Sequence, residues 1–336
     1  MAEIIVEIGN MHEGSLGIAF GFIDMVEASG AKIVKFQMHL SEFEGTADEP
    51  FRVKFSKQDR TRKEYWDRVN FTDDGWREIS DYAEGKGLEF MCTPFSIEAA
   101  KKLMRFTSVK RWKVGSGDAV NFPLIDFLAQ TELPLIISTG LVSWEEIVLL
   151  KERLKRLGAW NRTTLMHCVS EYPTPLEHSS LDLIDRLSTL GCRVGLSDHS
   201  GNQWVPAFGL TKGITLLEIH LTPNRNFFGP DVTSSLLPDE IANLVEFNKI
   251  VSRLEGSGLS KEELYLNAKQ TRHLFRKGIY WVTDMSVGDV CNIENISFLK
   301  PLMGIDSMDF ERVLGKQVTR TVIASSPVYL EDFGLR

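Results

Sequence analysis

A chain of 336 residues is longer than one ordinary domain, and a composition 43% hydrophobic and 25% charged carries enough apolar mass for a large core. A formal net charge of −8 with no long basic tract argues against nucleic acid or an anionic membrane as partner, although a few pocket lysines are enough for a small anion. Four cysteines without C-x-x-C spacing argue against a zinc ribbon or a disulfide framework; with no leader-like or membrane-length apolar run, we expect a cytoplasmic protein with reduced thiols.

The predicted elements alternate along the chain. "EIIVEI" (3–8) is a strand and a helix follows near 16–29; "KIVKFQ" (32–37) is the next strand, followed by a long polar insertion. A helix near 72–86 leads to the strand "LEFMCT" (88–93) and a helix from about 96. "RWKVGSG" (111–117), "LPLIISTG" (133–140), "TTLMHC" (163–168), "CRVGLSD" (192–198) and "TLLEIHLT" (215–222) are each followed by a helical pattern, the last running over 238–254. Eight strand-then-helix units in a row over about 250 residues predict a (β/α)8 TIM barrel, residues 1–254. An open doubly wound sheet is the alternative, and the lack of a G-x-G-x-x-G turn after the first strand weighs against its dinucleotide-binding form. The polar segment 255–270, with "GSGLSKEE", reads as a linker. Short extended runs and tight turns in 271–336 read as a small β-rich domain with little core of its own.

In such barrels the reactive side chains sit at the C-terminal ends of the strands. Those ends carry Glu7 and Asn10; Lys35 and Gln37; Thr93; Lys113 and Ser116; Ser138 and Thr139; His167 and Ser170; Ser197, Asp198 and His199; and Glu218 with His220. Every strand ends polar. Lys35 and Lys113 lie on otherwise apolar strands, where an unpaired ammonium is costly. Either lysine alone is also explained by an internal ion pair with a carboxylate such as Glu7. Taken with Thr93, Ser116, Ser138 and Ser197, and with Gly115 and Gly117 for close backbone approach, the two lysines describe a cradle for phosphate and carboxylate oxygens. His199 and His220 end consecutive strands; two imidazoles with a carboxylate and water suit a divalent ion such as Mn²⁺, Fe²⁺ or Zn²⁺. His12, His39, His178 and His273 fall in loops or the linker and receive no role.

The ordered motifs "EIGNMHEGS", "VKFQMH", "CTPFS", "KVGSGD", "LIISTG", "HCVSEYPTP", "GLSDHSG", "EIHLT" and "GPDVTSSLLPDE" resemble the N-acetylneuraminate (sialic acid) synthase family, including legionaminic, pseudaminic and Kdn synthases, from about Glu3 to Phe247. The tail, with "VTDMSVGDV", "ISFLKP" and "VLGKQV", is similar to that family's SAF (type III antifreeze-like) domain. The resemblance implies a transferase that condenses phosphoenolpyruvate with the open-chain aldehyde of an N-acetylmannosamine-like hexose. It implies a divalent metal, Mn²⁺ with Mg²⁺ or Co²⁺ as alternatives, on His199 and His220, acting as a Lewis acid. Lys35, Thr93, Lys113, Ser116, Ser138, Ser170 and Ser197 would hold phosphoenolpyruvate. Glu7 would handle the proton or water at C2, and Lys35, Gln37 and Asp231 would complete the catalytic set. Gln37, Asp118, Tyr172 and Asp231 would contact the sugar. A homodimer is implied as well, its SAF domain capping the partner barrel and bringing Lys300 of the partner subunit to the sugar.

Several positions depart from the family pattern. "NRNFFGPD" places Phe227 and Phe228 where a basic residue and Pro are usual; Asp118 replaces Glu, Ser170 replaces Asn, and Lys300-Pro301 replaces Arg-Pro, losing the planar fork. These changes gather on the sugar side, and lead us to expect an acceptor other than plain N-acetylmannosamine: a diacetamido-trideoxyhexose or an unacylated mannose-type sugar. Two other functions compete: a Schiff-base lysine aldolase acting through Lys35 or Lys113, and a non-catalytic relative in which barrel and tail serve assembly.

Overall fold

The computed structural model describes residues 1–256 and 258–335, which divide into two compact units, Met1–Gly256 and Ser257–Arg336. In the first, eight parallel strands form a ring: β1 (Glu3–Gly9), β2 (Ile33–Met38), β3 (Glu89–Pro94), β4 (Trp112–Val114), β5 (Leu135–Ser138), β6 (Thr163–Cys168), β7 (Arg193–Asp198) and β8 (Leu216–Leu221). The hydrogen-bonded order is β3-β2-β1-β8-β7-β6-β5-β4, and the ring closes where β3 meets β4 without a ladder between them. A two-residue β9 (Ser235–Leu236) pairs parallel with the end of β8. The helices are α1 (Leu16–Ser29), α2 (Arg62–Val69), α3 (Asp73–Gly85), α4 (Ile97–Phe106), α5 (Phe122–Gln130), α6 (Trp144–Arg156), α7 (Asp182–Ser188), α8 (Trp204–Leu210) and α9 (Pro238–Glu255). This is the expected (β/α)8 TIM barrel.

Helix starts follow local chemistry. The side chains of Ser15, Thr72, Ser96, Asn121 and Ser143 accept a backbone N–H at the start of α1, α3, α4, α5 and α6, each such cap contributing about 1 kcal/mol. The end of the barrel is tied to its start by Asn248 on α9, whose amide exchanges hydrogen bonds with the backbone of Ala2 at 3.3 and 2.8 Å.

The strands alternate with period two, and this positions the site. Outward-facing Ile4, Val6, Val34, Phe36, Phe90, Leu135, Ile137, Leu217 and Ile219 join the main core under the helices. Inward-facing Ile5, Ile33, Met91, Ile136, Met166 and Leu216 form a separate apolar tier inside the ring. One step further along the same strands the inward positions are Glu7, Lys35, Thr93, Ser138, Cys168 and Glu218. The barrel is therefore apolar below and charged above. Gly195 on β7 belongs to the lower tier, where a Cβ would lie 2.4 Å from the Met166 sulfur, so a glycine there makes room for that side chain.

In the barrel the structure adds a helix to the sequence reading. The polar insertion after β2 contains α2, which buries only Tyr65, Trp66 and Val69. Eight mostly charged residues are too few to show a helical period.

The second unit begins with two helices, α10 (Lys261–Asn267) and α11 (Lys269–Phe275), where the sequence reading had an irregular linker over 255–270. The same "GLSKEE" that suggested a linker supplies a capping box, Ser260 and Glu263 bonding each other's backbone N–H, and starts α10. Residue 257, within that expected linker, lies outside the described residues. Strands β10 (Gly278–Trp281) and β11 (Ile296–Leu299) pair antiparallel, and the remainder is turns and short bridges. Its core contains Ile279, Trp281, Cys291, Val313, Val318 and Val328, with the Trp281 indole donating to buried Asp332 at 3.2 Å.

Candidate active site

The C-terminal ends of the barrel strands and the loops beyond them enclose a cleft of about 430 Å³. Its lining contains Glu7, Lys35, Gln37, Thr93, Lys113, Ser116, Ser138, Ser170, Tyr172, Ser197, His199, His220 and Asp231, thirteen of the fifteen expected site residues.

Four buried charges form the floor: Glu7, Lys35, Lys113 and Glu218. The Lys35 ammonium contacts the Glu7 carboxylate and donates to Thr93 Oγ1 at 3.1 Å, while Lys113 donates to Ser138 Oγ at 2.7 Å. Glu218 sits between the lysines, its Oε1 3.6 Å from each Nζ, and accepts from Ser197 Oγ at 3.3 Å. Each lysine thus has both an acidic neighbour and a hydroxyl. The internal ion pair that explained a strand lysine on its own is present, and it lies within the cleft. Breaking such a buried set costs about 3–5 kcal/mol, because the partner left behind is an uncompensated charge. Burial lowers the Lys35 pKa to about 8 against the opposing pull of Glu218. Burial opposes ionisation of Glu218 too, but Lys113 and Lys35 outweigh it and hold that carboxyl below its usual range. Glu7 is fixed by a bulge: the chain shifts register between Glu7 and Gly9, and the Gly9 N–H donates to Glu7 Oε1 at 2.5 Å. Gly9 adopts φ +58°, a conformation suited to glycine.

Higher in the cleft the His199 and His220 rings stand 5.2 Å apart. His199 Nδ1 faces the Val169 carbonyl at 2.9 Å and must carry its proton there, which leaves Nε2 with a lone pair. His220 Nδ1 is buried without a hydrogen-bond partner and lies 4.0 Å from Asp231 Oδ2. Burial, reinforced by His199, holds His220 neutral by pushing its pKa well down. Burial works against a charged His199 as well, but neighbouring Cys168 and the Val169 carbonyl raise it overall. An orphaned imidazole nitrogen beside a free lone pair and a carboxylate suits a divalent ion. Among the described residues no three His, Cys, Asp or Glu side chains cluster closely enough to enclose one. Water or substrate oxygens would have to complete the coordination of any ion held by these two imidazoles.

The outer wall comes from the loops. Arg52, between β2 and α2, bonds Asp231 Oδ1 at 2.7 Å, and its guanidinium lies over the Tyr172 ring at 4.0 Å. Tyr172 in turn packs against His199 at a tilt of 35°, with ring centroids 4.2 Å apart. His39 is sandwiched between Trp66 and Phe95, at 4.5 and 4.2 Å, and its two nitrogens face Glu44 at 2.7 Å and Gln37 at 3.1 Å. It lines the cleft, although the sequence reading left it a loop residue without a role.

Other positions have partners of their own. Asp118 closes a turn by accepting from Asn121 at 2.9 Å and does not line the cavity. Lys300 belongs to the second unit, exposed, with its ammonium 5.2 Å from the Phe275 ring centroid. Asp198 accepts from Ser200 Oγ at 2.8 Å and shapes the turn after β7. His167 is bonded to the Ser179 carbonyl at 2.8 Å, a structural role. Phe227 packs into the core against Phe22, Phe228 packs against Phe55, and neither lines the cavity. Sequence reasoning gave Glu218 no role even though its inward register on β8 marked it. Arg52 had no signal, because irregular loop residues have no period.

The NeuB family model matches residues 22–260. The N,N'-diacetyllegionaminic acid synthase of Campylobacter jejuni is 28% identical over 326 residues, covering 94% of this chain and 96% of that protein. The N-acetylneuraminate-9-phosphate synthase of Homo sapiens is 31% identical over 259 residues, 76% of this chain and 71% of that protein. Among solved structures, the N-acetylneuraminic acid synthetase of Leptospira borgpetersenii matches with a TM-score of 0.69 and 26% identity, over 80% of this chain and 91% of that one. The spore coat polysaccharide biosynthesis protein E of Chromobacterium violaceum shares the fold with a TM-score of 0.74 at 20% identity, over 99% of each chain.

Proposed function

The chain belongs to the NeuB family, and on that premise we propose that it is a nonulosonic acid synthase that condenses phosphoenolpyruvate with the open-chain aldehyde of an N-acetylmannosamine-like hexose. The products are a nine-carbon 2-keto-3-deoxy sugar acid and phosphate. The observation that carries this reading is the pairing of Lys35 with Thr93 and of Lys113 with Ser138 on the floor of a cleft whose upper wall holds two facing imidazoles.

In this reading Lys35 and Lys113 neutralise the carboxylate and phosphate of phosphoenolpyruvate, and Thr93, Ser116, Ser138, Ser170 and Ser197 donate to their oxygens. C3 of phosphoenolpyruvate bonds to the aldehyde carbon, whose oxygen takes up a proton. C2 gains cationic character and accepts water, the C2–O bond to phosphate breaks, and the 2-keto group forms. Glu7, fully buried beside Lys35, stabilises the positive C2 and accepts the proton that the water loses. Gln37, Tyr172 and Asp231 orient the sugar. A divalent ion, Mn²⁺ by preference, held by His199 and His220 would supply Lewis-acid polarisation of the aldehyde. The second unit is read as an SAF-type domain, and the assembly as a homodimer in which Lys300 of the partner subunit reaches the sugar.

The test is an acceptor screen with phosphoenolpyruvate and Mn²⁺, following released phosphate and product mass. N-acetylmannosamine, a diacetamido-trideoxyhexose and mannose form the panel, and the acceptor turned over with the highest kcat/KM identifies the sugar. Phosphate release is expected only with an acceptor present and is expected to stop on chelation; release from phosphoenolpyruvate alone, or none with any acceptor, rejects the reading. One observation favours a Schiff-base aldolase instead: the Lys35 pKa of about 8 leaves more free amine than an ordinary lysine. Borohydride trapping with pyruvate separates the two, since only the aldolase yields a covalent adduct.

A further inference from the structure

We propose that Arg52 is a specificity-determining residue of the acceptor half of the cleft, reading the carbonyl oxygen of an acylamino substituent; this rests on the synthase reading above. The Arg52 side chain is 41% exposed at the cleft mouth and joins two loops that carry proposed sugar contacts, through its bond to Asp231 and its position over Tyr172. A guanidinium has five N–H donors. Among the described residues only Asp231 takes one, at 2.7 Å, so the rest of the fork is available to a ligand.

Charge decides what kind of ligand. Asp231 already compensates the guanidinium at contact distance, so a phosphate or carboxylate placed there would meet a carboxylate as well as an arginine. A neutral oxygen acceptor meets only the donors. The same cavity has an apolar stretch of wall. Phe51, Phe55 and Tyr65 pack edge to face at 5.0 to 6.3 Å and line the cavity with Val53. Phe228 backs this shelf through Phe55 at 5.5 Å. A planar donor fork and an apolar shelf in one cavity match the two ends of an acylamino group, carbonyl oxygen on Arg52 and alkyl carbon on the phenyl rings. A free hydroxyl satisfies the fork and leaves the shelf bare.

The experiment uses the full chain as wild type, R52A and R52K, with N-acetylmannosamine, mannose and N-acetylmannosamine 6-phosphate. Ligand-observed NMR gives the affinity for each sugar, and phosphate release in the presence of phosphoenolpyruvate gives kcat/KM. A charge-assisted hydrogen bond of this kind is worth roughly tenfold or more in discrimination. Wild type is expected to favour N-acetylmannosamine over mannose by that factor; R52A brings the ratio close to one; R52K falls between, because it keeps the charge without the fork. Phosphoenolpyruvate affinity stays within about twofold in both variants, as Arg52 touches none of its cradle. A residue that merely held the loops would depress both sugars and leave their ratio alone. An unchanged ratio in R52A, no preference in wild type, or a preference for the 6-phosphate that is lost in R52A overturns the assignment. If the binding ratio follows Arg52 while no sugar triggers phosphate release, the assignment stands and the synthase reading falls.

Discussion

Lys35 has Glu7, Glu218 and Thr93 around its ammonium and almost no water. Burial is what lowers its pKa to about 8, so the cationic form holds below that pH and is lost as pH rises through it. Two opposite consequences follow. In the proposed reaction phosphoenolpyruvate needs the cation, so kcat/KM for it should fall about tenfold per pH unit above 8, and a K35R variant, which does not titrate there, should lose that limb. Stability moves the other way. Between the folded value near 8 and the ordinary lysine value the unfolded chain binds more protons, so this group makes the ligand-free protein more stable as pH rises. A pH series of kcat/KM beside one of thermal melts checks both signs, and a K35M variant that keeps its affinity for phosphoenolpyruvate removes Lys35 from the cradle.

At the scale of elements, alternation along the strands made the site legible. "IVKFQM" places Ile33, Lys35 and Gln37 inward and Val34, Phe36 and Met38 outward, a pattern readable from the sequence and preserved in the fold. The same logic located Thr93, Lys113, Ser138, Ser197 and His220. It stopped at the loops. Arg52 and His39 reach the cleft through a segment with no repeat, and "GLSKEE" has the composition of a linker while encoding a helix cap. The opposite end of the barrel shows what strand ends do without chemistry. Arg111, beside β4, forms two-pronged bonds to Glu89 on β3 and Glu3 on β1, four contacts of 2.7 to 2.8 Å. It bridges the seam where β3 and β4 lack a ladder. Glu3 is half exposed and counts for little, but Glu89 is largely buried. An R111M variant should lose about 1–3 kcal/mol in chemical denaturation with phosphoenolpyruvate affinity unchanged; a loss under 0.5 kcal/mol would show the seam closes without it.

At the scale of the whole molecule, the two units have separate hydrophobic clusters, and every residue of the proposed phosphoenolpyruvate cradle lies in the first. A fragment of residues 1–256 is therefore expected to melt cooperatively and to bind phosphoenolpyruvate like the full chain. Turnover should fall in that fragment if Lys300 of the partner subunit completes the sugar site, which calorimetry and phosphate release together can show. Full turnover by the fragment removes Lys300 from the mechanism.

The apolar tier beneath the lysines, Ile5, Ile33, Met91, Ile136, Met166 and Leu216, has a further meaning. It makes the barrel a blind alley with one door. A molecule that reaches the lysines has to enter past the histidines and the loops of the outer wall.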